Sequence, residues 1–121
     1  MAIKDLIQTG DWKGEKHIPA IEVKEKGEWI VVEVSVGKEI PHPNTPEHHI
    51  QWVELYFQPQ GSKFPYLVGR WEAAGHGYGD STLFTDPYLV ARFKAEKSGT
   101  LYALSFCNIH GLWTSSQELK L

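Results

Sequence analysis

Tyr88-Leu89-Val90-Ala91-Arg92-Phe93-Lys94 and Thr100-Leu101-Tyr102-Ala103-Leu104-Ser105-Phe106 both alternate, with Glu96-Lys97-Ser98-Gly99 between them. Successive side chains of an extended chain point to opposite faces, so the pattern predicts two strands. The polar link ending in glycine predicts a hairpin turn between them. Upstream, Ala20 to Lys24 and Trp29 to Val36 are β-branched runs parted by Glu25-Lys26-Gly27-Glu28, which reads as another hairpin. His49 to Phe57 is aromatic and β-branched, a strand expected to be buried on much of both faces. Tyr66 to Trp71 and Ser81 to Thr85 read as two shorter strands, and Leu112 to Leu119 as the last. Lys4 to Gln8 suits a helical turn, too short to matter alone. About seven or eight short strands with no convincing helix predict an all-β fold, an immunoglobulin-like antiparallel β-sandwich. Residues 1–121 are expected to form one domain.

The connecting segments carry the unusual chemistry. Gly10 to Pro19 is bounded by glycines and closed by a proline. Gly37 to Glu47 holds Pro41, Pro43 and Pro46, which fix φ and exclude helix, so this is a stiff, shaped loop. Gly75-His76-Gly77-Tyr78-Gly79 resembles a phosphate loop at a glance, but no helix pattern and no Gly-Lys-Thr/Ser follow it. It is expected to be an ordinary flexible loop.

Composition removes several function classes. No apolar run approaches the roughly 20 residues of a membrane helix, and the first residues have neither the apolar stretch nor the cleavage site of a signal peptide. A cytoplasmic protein without a membrane partner is expected. The net charge of -3, with lysines scattered and offset by Glu, gives no nucleic-acid footprint. A single cysteine cannot form an internal disulfide or a Cys-rich zinc or iron–sulfur site.

That cysteine, Cys107, stands in Ser105-Phe106-Cys107-Asn108-Ile109-His110-Gly111-Leu112-Trp113, with a histidine three residues on. A thiolate and an imidazole at this spacing can reach one metal ion from a tight turn. A lone cysteine on an apolar run is just as readily a small core residue. The histidines tip the balance. His17 lies in the first glycine–proline loop, His42 lies within the proline-stiffened one between Pro41 and Pro43, and His48 directly follows it. His48 and His49 point to opposite faces if extended, so one of the two joins a site. His76 has no companion and is left as an ordinary boundary residue. Trp52 and Trp113 are read as packing that holds the loops.

Structural zinc takes four ligands, one fewer than these five candidates, and calcium and magnesium prefer oxygen. Blue copper uses two His, one Cys and a weak axial Met, also on a β-sandwich. The only methionine is Met1, although a Gln or a backbone oxygen can replace it. Four imidazoles and an axial thiolate around iron leave one octahedral position open for a small anion. The rival classes are a cupredoxin-like copper electron carrier and a metal-free binding module.

Three motifs resemble the superoxide reductases of the one-iron, neelaredoxin type, related to the C-terminal domain of desulfoferrodoxin. They are Glu15-Lys16-His17-Ile18-Pro19, His42-Pro43-Asn44-Thr45-Pro46-Glu47-His48-His49-Ile50-Gln51-Trp52 and Cys107-Asn108-Ile109-His110-Gly111-Leu112-Trp113. The resemblance spans nearly the whole chain. It implies one-electron reduction of superoxide to hydrogen peroxide at a mononuclear non-haem iron, one per chain. His17, His42, His48 and His110 would be its nitrogen ligands and Cys107 its sulfur ligand. Glu15 would occupy the sixth position once the iron is oxidised, and Lys16 would draw superoxide in and order the water that supplies protons. The resemblance also implies rubredoxin or a similar small redox protein as electron donor, a homotetramer, and an immunoglobulin-like sandwich.

Overall fold

The computed structural model describes residues 1–121. It contains seven strands: β1 (Ala20–Glu25), β2 (Ile30–Ser35), β3 (Ile50–Pro59), β4 (Tyr66–Glu72), β5 (Tyr88–Phe93), β6 (Gly99–Cys107) and β7 (Gly111–Leu119). They form two antiparallel sheets, ordered β1-β2-β5 and β4-β3-β6-β7, the expected immunoglobulin-like sandwich. The only helical element is a 3-10 turn, Ile3–Asp5. β1 and β2 make the hairpin read from sequence.

Two expectations about the strands and their pairing are corrected, and so is a third, about the burial of β3. β5 and β6 are not a hairpin. β5 pairs with β2 in one sheet and β6 with β3 and β7 in the other, so Glu96 to Gly99 crosses between layers. Alternation shows that one face of a strand is buried but not which strand lies beside it. Ser81 to Thr85 is not a strand either. Gly77 N–H donates to Leu83 O at 2.9 Å and Thr85 N–H to Gly75 O at 2.7 Å, so the run folds back on the glycine loop. Only the bridge between His76 and Phe84 has ladder geometry, and Leu83 and Phe84 remain exposed.

The core fills the space between the sheets. Ile30, Val32 and Val34 of β2 face Val53 and Leu55 of β3 and Leu101 and Ala103 of β6, all fully buried. Each of the buried Ile, Val and Leu side chains contributes about 1.5–3 kcal/mol relative to exposure. β3 buries one face, not both: its inward residues alternate with half-buried ones. Between Ile50 and Trp52 a bulge breaks that alternation, Gln51 being the extra residue against the β6 ladder. The bulge turns Ile50 back into the core at the end of β3 that carries His48 and His49. On β6, Leu101, Ala103, Ser105 and Cys107 are each 0% exposed, so Cys107 ends a continuous inward-facing row.

Candidate metal centre

Three chain segments meet at the open end of β6. The first is the loop before β1, held down by hydrogen bonds to the last two strands. Gln8 N–H donates to Leu112 O at 3.1 Å and Thr114 N–H to Gln8 O at 2.9 Å. Ser105 Oγ donates to His17 O at 3.0 Å and Ser115 Oγ to Pro19 O at 2.6 Å. His17 is thereby laid over the β6–β7 end, only 5% exposed. The second segment is the three-residue β6–β7 turn, Asn108 to His110, after which Gly111 adopts φ 79°. A glycine in this left-handed conformation closes such short hairpins. His110 N–H then points back at Cys107 Sγ, 3.4 Å away. The third is the proline loop, whose Thr45 and His48 are cross-linked by Thr45 N–H to His48 O at 2.9 Å.

A metal donor must present a free lone pair, and outer hydrogen bonds decide which ring nitrogen does so. His17 Nδ1 lies 2.6 Å from Glu15 Oε1, which places the proton there and leaves Nε2 free, 3.2 Å from His110 Nδ1. His42 Nδ1 donates to Pro43 O at 2.7 Å, and its Nε2 faces Cys107 Sγ at 3.6 Å. His110 Nδ1 is 3.8 Å from the same sulfur. His48 Nε2 is buried without any hydrogen-bond partner. An orphaned polar atom in that position costs about 1–3 kcal/mol unless something fills its lone pair. Donor atoms of His17, His48, Cys107 and His110 all lie within 4.8 Å of one another, a set able to hold a metal ion. His42 stands against it, its ring 4.8 Å from His17 and 4.7 Å from His48 between centroids. The soft thiolate and borderline imidazoles suit a transition metal. Cys107 is thus both a core residue and a member of the cluster.

All five candidate donors converge, with His110 exposed on the outer side and Cys107 buried beneath. Glu15 sits on the outer edge of His17, also accepting the His17 backbone N–H at 3.0 Å. Burial alone would raise the Glu15 carboxyl pKa, but these bonds hold it below the ordinary value. Lys16 is half-buried, and its charge bears on His42 and His48. His49 turns away from the cluster, as its neighbour's role requires, and its Nδ1 donates to Thr45 O at 2.8 Å. Trp113 stacks on His17 with ring centroids 4.6 Å apart and donates from Nε1 to His110 O at 3.2 Å.

One residue escaped the sequence reading. Asn108 Oδ1 accepts His49 N–H at 2.9 Å, its Nδ2 donates to Glu47 O at 2.9 Å, and its own N–H donates to His49 O at 3.2 Å. Its side chain extends the β3–β6 ladder one step and locks the His48 segment to the Cys107 turn. The available signal was an asparagine in a tight turn, a residue that habitually bonds backbone.

Burial pulls the His42 imidazole down to about 4, helped by the charges of His17, His48 and Lys16 and opposed by the Pro43 carbonyl. His48 is lowered for the same first reason, with His110 the next contributor. Both are neutral near pH 7, ready to bind metal without losing a proton. Below the ordinary imidazole value of 6.5 the unfolded chain takes up protons that folded His42 refuses until about 4. The His42 contribution to the stability of the metal-free protein is therefore full above about pH 6.5 and is lost as pH is lowered toward about 4. Thermal melts of metal-free protein across this window check the sign.

The family model described as desulfoferrodoxin matches residues 9–116. The superoxide reductase of Pyrococcus horikoshii is 58% identical over 98% of this chain and 99% of its own. The neelaredoxin of Megalodesulfovibrio gigas is 46% identical over 100% and 99%. Among solved structures, the reduced superoxide reductase (neelaredoxin) of Archaeoglobus fulgidus superposes with a TM-score of 0.91 at 61% identity, covering 96% of this chain and 99% of that one. With the donor cluster in place and the match running almost end to end, the chain belongs to the desulfoferrodoxin family.

Proposed function

We propose that this protein is a superoxide reductase, residues 1–121 acting as one iron-binding domain that converts superoxide, one electron and two protons into hydrogen peroxide. The observation that carries this reading is the gathering of His17, His48, Cys107 and His110 donor atoms within 4.8 Å of one another, with His42 Nε2 3.6 Å from the Cys107 sulfur and His48 Nε2 without a hydrogen-bond partner. These five side chains would hold one iron per chain. Bound there, iron supplies the electron, and a thiolate donor increases its electron density, as axial cysteine does in haem proteins. The family match favours this over a cupredoxin-like carrier, and Met1, 98% exposed, is no axial ligand.

The chain's own residues do the rest. Lys16 attracts the anion and orders the water from which protons come. The exposed side of His110 leaves an approach for a small molecule, while the Trp113 ring covers His17 and keeps bulk water from it. Glu15 fixes the His17 tautomer. We assign it as a carboxylate that would also hold the iron in the oxidised protein, which would require it to give up the His17 Nδ1 contact.

The reading includes a cytoplasmic setting, supported by the lone, disulfide-free cysteine, and a rubredoxin-type donor. It also includes a homotetramer. Tyr66, Leu67, Leu83, Phe84 and Val90 are exposed on β4, β5 and the 81–85 segment, and sedimentation analysis tests self-association.

The test is iron-loaded, reduced protein given pulses of superoxide. One peroxide per iron oxidised, without oxygen release, is expected; no reaction, or oxygen and peroxide in equal amounts, overturns the assignment. Lys16→Ala is expected to slow capture about tenfold at low salt and to flatten its ionic-strength dependence. An unchanged rate in stopped-flow measurements removes Lys16 from the mechanism.

A further inference from the structure

We propose that His76, outside the donor cluster, is a positioning residue for it: from the glycine-rich loop it braces the proline loop that carries His42 and His48. The ring is 2% exposed. Its Nδ1 lies 2.7 Å from Asn44 Oδ1 and its Nε2 2.6 Å from Ala73 O. The Asn44 amide is oriented by its own Nδ2 donating to Thr85 O at 3.0 Å, so the oxygen must face His76. The His76 ring also stacks on His49, centroids 3.6 Å apart and planes 10° from parallel. His49, itself 2% exposed, ties back to the proline loop through Thr45 O. Asn44 is two residues after His42 and His49 is one after His48. One buried ring therefore holds the proline loop close to both donors.

The loop that bears His76 is not the flexible connection its glycines suggest. Gly75 N–H donates to Thr85 Oγ1 at 3.0 Å, and Thr85 N–H returns to Gly75 O at 2.7 Å. A Cβ on Gly75 would meet Thr85 Oγ1 at 2.8 Å, and one on Gly77 would meet the Phe84 ring at 2.7 Å. The glycines let the loop lie flat against the 83–85 segment, which makes it a fixed support. Both oxygens facing His76 are acceptors, so a neutral ring donates to one of them at a time. Burial disfavours its charged form, and the Ala73 carbonyl favours it. Outer hydrogen-bonded partners of metal ligands orient the rings and typically change metal affinity about 10–100-fold when removed. Here the effect is transmitted one residue further, through Asn44 and His49.

This inference rests on the reading of His42 and His48 as metal donors, and cobalt(II) binding separates the two. Asparagine at position 76 keeps a donor near the Nδ1 position, toward Asn44; glutamine keeps one near Nε2, toward Ala73; both lose the stack. Cobalt(II) titration of metal-free wild type should show a sulfur-to-metal charge-transfer band. His76→Gln is expected to bind about tenfold or more weakly and to show an altered band at saturating metal. His76→Asn should recover most of the affinity and the wild-type band. Equal affinity and identical saturated spectra for wild type, His76→Asn and His76→Gln, whatever their melting temperatures, would mean that His76 is only a buried structural residue. Absence of the band in wild type itself would remove the metal reading and the brace together.

Discussion

Cys107→Ser is expected to abolish the colour of the oxidised protein, to weaken metal binding more than the roughly 100-fold upper range for losing an outer partner, and to remove superoxide reduction. The sulfur lies 3.6 Å from His42 Nε2 and 3.8 Å from His110 Nδ1, accepts the His110 N–H, and is within 4.8 Å of the His17 and His48 donor atoms. A serine hydroxyl at that place is harder, does not ionise near neutral pH, and supplies neither negative charge nor charge-transfer absorption. The fold should survive, because the row Leu101, Ala103, Ser105 already tolerates a hydroxyl one pleat away. A buried hydroxyl in a thiol's place costs about 1–3 kcal/mol. Metal analysis, visible spectra and circular dichroism on the same preparation check all parts. A Cys107→Ser protein with wild-type colour would show that the sulfur is not a donor.

Gly37→Ala should produce the second large effect, although residue 37 is no donor. Gly37 adopts φ 84°, and a Cβ there would lie 2.7 Å from His42 N and 3.4 Å from Ile40 O. The left-handed conformation alone costs a residue with a side chain about 1–2 kcal/mol. The overlap is with backbone, so relief requires moving the 40–42 segment and the His42 ring with it. Gly61→Ala is the control: φ is 86°, but nothing lies within 4 Å of the added atom. Both variants should lose the conformational increment in thermal or urea unfolding. Only Gly37→Ala should also lose metal affinity, by about tenfold or more if His42 behaves as a displaced donor. Equal stability losses and equal affinities would show that His42 placement does not depend on the close approach at Gly37.

These experiments bear on a site whose parts were unequally visible in the chain. The types of the five donors and the loops that hold them could be read directly, because proline and glycine constrain the backbone locally and because few ions want four imidazoles and a thiolate. The same locality hid the supports. Asn108 and His76 act through bonds to segments dozens of residues away, and nothing beside them in sequence announces a partner. Glu15 was named through the family resemblance together with its place beside His17, yet its carboxylate rests on the outer edge of that ring, a contact set by how the loop folds.

By itself, then, the sequence determined an all-β sandwich, its strand segments apart from Ser81–Thr85, and a set of candidate donors, since alternation and turn chemistry are properties of a few consecutive residues. Tertiary structure alone decided that β5 joins β2 while β6 lies between β3 and β7. A turn-like link such as Glu96-Lys97-Ser98-Gly99 serves a hairpin or a crossover equally well, and the choice falls to whichever pairing buries both inward faces in one core. That same closure brings the loop before β1, the proline loop and the β6–β7 turn to one end of the sandwich, where separate histidines become one centre.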